Sequence, residues 1–277
     1  MCLILFAYRA HPNYPLLVAA NRDELFDRPS AQASFWPDAP QLLAGRDLLA
    51  GGTWLGITTG GRFAAITNYR DPNLRPAPRS RGELTKDFLL SNDTPRQYAR
   101  GVVERGSDYA GFNLLVGDGE ELYYCNNQTH QSQALEPGIY GLSNHLLNTP
   151  WPKVTNGKQR LAQLVSQRLN SEELLALLAD PTVAPDIELP DTGVGLSRER
   201  LLSPAFITGD SYGTCCSTAL IVDQHNHVVF HERTFAKEPA TAKKLSTTKM
   251  PPGAVDQQSP LREVADEKIF NFSLNRA

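Results

Sequence analysis

Cys2 becomes the first residue of the chain once the initiator methionine is removed, and it then carries a thiol and a free α-amine on one residue. The α-amine has an ordinary pKa of about 8, so near neutral pH much of it can accept a proton, and the thiol is the strongest side-chain nucleophile. Nucleophile and general base would be a single residue. Taken alone, the position also reads as a small apolar residue that tolerates methionine removal.

A second group lies in Asn21-Arg22-Asp23-Glu24, four polar residues that end the apolar run Leu16-Leu17-Val18-Ala19-Ala20. Between this run and Cys2-Leu3-Ile4-Leu5-Phe6 stands His11-Pro12-Asn13-Tyr14-Pro15, a composition that favours a turn. An antiparallel hairpin centred near Pro12 pairs residues whose numbers sum to about 24, which sets Cys2 opposite Arg22. Asp23 would then hold or orient the α-amine, and the positive charge of Arg22 would lower the thiol pKa. A solvated strand end explains the same tetrapeptide without chemistry.

The opening MCLILFAY, the tetrapeptide Asn21-Arg22-Asp23-Glu24 and Gly51-Gly52-Thr53-Trp54-Leu55-Gly56 together resemble the NRDE family, whose eukaryotic members are the transport and Golgi organisation 2 proteins. Ala65-Ile66-Thr67-Asn68-Tyr69-Arg70, Gly111-Phe112-Asn113-Leu114-Leu115-Val116-Gly117, Leu142-Ser143-Asn144, Pro150-Trp151-Pro152-Lys153 and Tyr212-Gly213-Thr214 with Ser217-Thr218 follow in family order. The family is in turn similar to N-terminal-nucleophile hydrolases of the choloylglycine hydrolase and penicillin V acylase type. That similarity implies an α+β fold, a four-layer αββα sandwich, and cleavage of linear amides by an N-terminal cysteine. It also implies oxyanion donors at Asn68 and Asn144, each expected at the end of a strand. An asparagine amide is neutral and donates hydrogen bonds without competing for the proton that the leaving amine needs. By sequence alone both also read as turn residues, and Asn113, inside an apolar strand, reads as structural. One departure stands out: relatives usually carry an arginine after Tyr-Gly-Thr, where this chain has Cys215. The loss of a permanent charge and five donors there implies altered activity or a different ligand.

The elements that must hold these residues are mostly strands. Trp54 to Ile57 and Phe63 to Thr67 flank a Thr-Thr-Gly-Gly turn, and Phe112 to Val116 and Leu122 to Cys125 flank Asp118-Gly119. Ile139 to Ser143, Ser217 to Val222 and Val228 to Phe235 read as further strands. The proline- and arginine-rich stretch 71–82 reads as a loop, with a helix after it through Leu84 to Leu90. A second helix is predicted from Thr94 as N-cap with Pro95 in its first position, and residues 157–180 read as two helices broken near Asn170-Ser171. Strands, then helices, then strands without regular alternation argue for α+β with largely antiparallel sheets.

At 277 residues and 41% hydrophobic content the chain can bury one substantial core, and residues 1–235 are expected to form one domain followed by a flexible tail over 236–277, with a short element near Leu261 to Phe272. A net charge of -3 gives no electrostatic case for nucleic acid or an anionic membrane. No segment approaches a membrane span and the N-terminal apolar run lacks a basic flank, so a cytoplasmic protein is expected. Cys2, Cys125, Cys215 and Cys216 have neither disulfide-framework nor zinc spacing, and no cofactor or metal is implied. The six histidines offer no defensible partner for Cys2, and His225 and His227 read as a surface turn. Together with the residues, the resemblance implies a cysteine amidohydrolase of a small linear amide, with Cys2, Arg22, Asp23, Asn68 and Asn144 as its catalytic set. The alternative that the resemblance implies is a carrier of haem or an acyl lipid.

Overall fold

The structure, a computed structural model, describes residues 2–73, 77–167, 169–236 and 261–275. In chain order its elements begin with strands β1 (Cys2–His11), β2 (Tyr14–Leu25), β3 (Ser30–Trp36), β4 (Ala39–Asp47), β5 (Leu55–Thr58) and β6 (Phe63–Asn68). Helices α1 (Arg81–Leu90) and α2 (Pro95–Glu104) precede β7 (Phe112–Gly117), β8 (Leu122–Asn126), β9 (Gln131–Ala134) and β10 (Gly138–Leu142). Helices α3 (Pro152–Val165), α4 (Ser171–Leu178) and α5 (Leu196–Leu202) lead to β11 (Tyr212–Val222), β12 (His227–Phe235) and β13 (Val264–Ser273).

Two antiparallel sheets result, one ordered β10-β1-β2-β11-β12-β13 and the other β3-β4-β5-β6-β7-β8-β9. The alternation of side chains along a strand explains how they stack. On β1 and β2, Ile4, Phe6, Val18 and Ala20 meet Leu43, Ile57, Phe63 and Leu115 of the other sheet in a core between the sheets. Their neighbours Leu3, Leu5, Leu17 and Ala19 point the other way, onto Val154 and Leu161 of α3 and Leu174 and Leu178 of α4. Both faces of β1 are therefore buried, which is why it reads as an unbroken apolar run. Helices α1 and α2 cover the second sheet, where Leu84, Phe88, Tyr98 and Val102 pack on Ile66, Leu114 and Val116. Helix, sheet, sheet, helix: this is the expected αββα sandwich.

Close approach of α3 to the sheet depends on Gly157, where an added Cβ would stand 2.6 Å from Leu5 Cδ1. The local chemistry of the helix starts is as the sequence suggests, with one adjustment. Thr94 caps α2, accepting from Gln97 N at 3.2 Å. At α4 the cap is Asn170, which accepts from Glu173 N at 3.0 Å, and Ser171 is the first helical residue. Helix α1 begins at Arg81, inside the stretch read as a loop.

Most of residues 236–277 lies outside the described residues. The short element expected near Leu261 to Phe272 is the ten-residue strand β13, which pairs antiparallel with β12. Among the described residues no helix is long and apolar enough to cross a membrane.

Candidate active site

The β1–β2 hairpin sets the site. Its register pairs Cys2 with Arg22, Leu3 with Asn21 and Phe6 with Val18, the sum-of-24 pairing that the turn composition predicts. Opposed residues on neighbouring strands point to the same face, so Cys2 and Arg22 share one. Asn21 points the other way and donates to the carbonyls of Leu178 at 3.1 Å and Ala205 at 2.8 Å. Strand β11 continues the arrangement on the far side of β2: Cys216 pairs with Arg22 and Thr214 with Asp23, and the register shift between them lies at Cys215.

A cavity of about 660 Å³ opens where these strand ends meet the second sheet. Cys2, Arg22, Asp23, Glu24, Cys215, Cys216 and Glu232 line it from the first sheet, and Asn68, Arg46 and Asp47 from the second. The start of α1, at Ser80, Arg81 and Gly82, closes one side. Of the five residues expected to carry chemistry, four line this space.

Asn144 does not. It is fully buried behind Asn68, donating Nδ2 to the Asn68 carbonyl at 2.9 Å, while its own carbonyl accepts from Arg70 N at 2.7 Å. The Asn68 side-chain amide makes no hydrogen bond among the described residues, and of the two asparagines Asn68 is the one that lines the cavity. Asn113 is structural, as its strand position suggests: it accepts from Tyr124 OH at 2.7 Å and donates to Thr67 Oγ1 at 3.1 Å. Thr67 then donates to the Ser143 carbonyl at 2.6 Å, and Ser143 Oγ donates to the Cys2 carbonyl at 3.2 Å. A chain of buried polar groups thus ties Cys2 to the second sheet.

Burial pushes the Cys2 thiol above its ordinary pKa, and the neighbouring Arg22 pulls it down without cancelling that effect. Burial also raises the Asp23 carboxyl, which accepts from Thr214 Oγ1 at 2.7 Å. Cys215 and Cys216 are likewise raised by burial, as is Cys125, pushed up to about 12 in the core beneath α2.

Lys153 is a functional candidate that sequence reasoning passed over. It lies on the buried face of α3 with Val154, Gly157 and Leu161, donates to the Leu202 carbonyl at 2.8 Å, and is lowered by burial to about 8, with the charge of Asp23 opposing that shift. A lysine on the apolar stripe of a helix was the available signal. Arg70 and Glu199 form a buried ion pair nearby, with the Arg70 guanidinium 4.5 Å above the Trp151 ring.

Among the described residues no histidine lines the cavity. His225 and His227 flank Asn226 in the β11–β12 turn, where both backbone N–H groups bond Asp223. One cluster has donors suited to a cation: Glu172, His231 and Glu267, with ligating atoms within 4.8 Å of one another. Arg233 already supplies positive charge there, donating to Glu172 at 3.0 Å and to Glu267 at 2.6 Å.

The chain is thus a four-layer αββα sandwich with a cysteine at the start of its first strand, lining a polar cavity. The chain belongs to the Transport and Golgi organisation 2 family, whose model matches residues 1–237. It is 38% identical over 255 residues to the Transport and Golgi organization 2 homolog of Mus musculus, an alignment covering 84% of this chain and 92% of the relative. It is 28% identical over 264 residues to the Transport and Golgi organization protein 2 of Drosophila melanogaster, covering 84% and 92%. Among solved structures, it is similar to a Caenorhabditis elegans ortholog of N-acylethanolamine-hydrolyzing acid amidase, with a TM-score of 0.45, 12% identity, and coverage of 79% of this chain and 92% of that one. The C2A mutant of the conjugated bile acid hydrolase of Clostridium perfringens gives 0.42 and 10%, with coverage of 84% and 89%.

Proposed function

We propose that the protein is a cysteine amidohydrolase acting on a small linear amide, with Cys2 as its nucleophile after removal of the initiator methionine. The observation that carries this reading is the placement of Cys2 in the cavity opposite Arg22, with the unengaged Asn68 amide on the same space.

In the proposed mechanism the α-amine of Cys2 takes the thiol proton, and the sulfur attacks the substrate carbonyl carbon. Arg22 offsets the charge of the forming thiolate. Asn68 donates to the oxyanion, and Asn144, through the Asn68 carbonyl, holds that donor in place. The C–N bond then breaks, the α-ammonium returns its proton to the leaving amine, and a thioester remains. Water, deprotonated by the same amine, hydrolyses it, so that amide and water give carboxylic acid and amine. Asp23 orients the amine and favours its charged form. Free thiols at all four cysteines fit the reducing cytoplasm as its site of action.

The names of the relatives, which speak of transport and Golgi organization, fit a second reading, a carrier or trafficking protein, for which the family resemblance implies haem or an acyl lipid as the ligand. Intact-mass analysis with a library of acyl amides separates the two. Loss of Met1 and a thioester mass increment at Cys2, absent in Cys2→Ala, are expected of the enzyme. Stoichiometric haemin binding that survives Cys2→Ala, with no amide cleaved by the wild type, would replace the enzyme with the carrier.

A further inference from the structure

Five arginines line the cavity: Arg22, Arg28, Arg46, Arg79 and Arg81. Four of them have carboxylate partners. Arg22 pairs with Glu24 at 3.6 Å, Arg28 with Asp47 at 2.6 Å, Arg46 with Asp38 at 2.8 Å and Arg79 with Glu83 at 2.9 Å. Arg81 has no ion pair among the described residues, and its guanidinium makes one hydrogen bond, from Nη1 to the Gly111 carbonyl at 3.0 Å. Glu24 acts on Arg81 from beyond ion-pair distance and is already shared by Arg22 and Arg28.

The position of Arg81 is built into the fold. It is the first residue of α1, and Thr53 N donates to the Gly82 carbonyl at 3.2 Å, which presses the start of the helix onto the segment before β5. That contact needs Gly52, because a Cβ there would stand 2.4 Å from the Gly82 carbonyl carbon. The Gly111 carbonyl then fixes one terminal nitrogen of Arg81 and leaves its Nε–Nη2 edge, the pair of parallel donors that matches a carboxylate. Burial holds the Arg81 guanidinium below its ordinary pKa. Helix α1 covers the second sheet whereas Cys2 lies on the first, so a ligand can meet both across the cavity.

We propose that Arg81 is a carboxylate-binding residue and that the substrate is an amide carrying a carboxylate, which Arg81 holds while Cys2 reaches the carbonyl. The amide part rests on the amidohydrolase reading; the carboxylate part rests on the geometry of Arg81.

The test reads anion preference without requiring turnover. Cys2 is alkylated with iodoacetamide, followed by peptide mapping, in the presence of N-acetylleucine or the uncharged N-acetylleucinamide. A charge-assisted hydrogen-bonded pair predicts protection by the acid at a concentration roughly tenfold or more below that of the amide. In Arg81→Gln the ratio of iodoacetate to iodoacetamide reactivity at Cys2 should fall by about the same factor, and Arg81→Lys should keep part of it. Equal protection of the wild type by acid and amide, or a reactivity ratio unchanged in Arg81→Gln, overturns the proposal; the wild-type comparison holds even if a variant fails to fold. Failure to cleave any amide, with the acid preference intact, counts against the amidohydrolase and leaves the carboxylate site standing.

Discussion

Thr214 gives its hydroxyl to the buried carboxylate of Asp23 at 2.7 Å, across two strands whose partners are 191 residues apart in sequence. The same oxygen accepts from Ile207 N at 2.9 Å, so both sides of the hydroxyl are used. In Thr214→Val a buried carboxylate loses a donor. Stability is expected to fall by about 1.5–3 kcal/mol at neutral pH, with Thr214→Ser recovering most of it.

The pH dependence of that loss has a definite sign. Asp23 is raised above 3.8 in the folded chain, so its contribution to stability is full below 3.8 and is lost as pH rises through the folded value. Removing Thr214 raises the folded value further. The gap between variant and wild type should therefore widen as pH rises through that range and narrow in acid, which urea titrations at a series of pH values will read.

Asn144 Nδ2 holds the carbonyl of Asn68 and Asn144 does not line the cavity, so in the proposed amidohydrolase the two are expected to act as one unit. Asn68→Ala should cost about 2.7–4 kcal/mol in the acylation barrier, with little change in KM. Asn144→Ala should lose part of that through a misplaced Asn68. The double variant should be no slower than Asn68→Ala alone, and additive losses in kcat/KM would show that Asn144 touches the oxyanion itself.

How much of this was open to reading from the sequence depends on the distance between partners. Cys2 opposite Arg22 follows from a hairpin whose turn is short and polar, and it holds until Tyr8, where the ladder shifts with Arg9 at φ 46°. The helix caps at Thr94 and Asn170 are local chemistry and are equally visible. Thr214 beside Asp23, and Arg81 on the cavity, depend on packing between segments with no mutual signal in sequence. Strands β3 and β4 escaped because their burial is irregular and their ladder is interrupted twice, between Ala31 and Ser34 and again between Phe35 and Trp36. Asn144 was expected at the oxyanion from the family resemblance; that its amide instead holds the Asn68 carbonyl is a contact between segments 76 residues apart, with no local signal in sequence.

Arg262 fastens the last described segment to the site. Its Nη1 donates to the Thr214 carbonyl at 3.3 Å and its guanidinium lies 3.8 Å from the centre of the Phe26 ring, although residue 262 is beyond the 1–237 matched by the family model. Arg262→Ala is expected to lose about 1–3 kcal/mol in urea denaturation, from a buried hydrogen bond and a desolvated cation–π contact. Arg262→Lys should recover only part, because an ammonium cannot lie flat on the ring while reaching the carbonyl. A loss below a few tenths of a kcal/mol would mean that β13 holds without this anchor.

Lys153 gives the protein an alkaline signature. Its pKa is about 8 in the folded chain against 10.5 in its absence of burial, so between those values the unfolded chain holds a proton that the folded chain does not. A depressed folded pKa gives stability that is present above the unfolded value and lost as pH falls through the folded one. Wild-type stability should therefore rise between about pH 8 and 10 relative to Lys153→Met, with a slope up to about 1.4 kcal/mol per pH unit. The difference in slope, rather than the offset between the two proteins, is the diagnostic, because Lys153→Met also removes the counter-charge of the buried Asp23 and so shifts the offset. Parallel stability curves for the two proteins from pH 7 to 10 would show that Lys153 keeps its proton on folding.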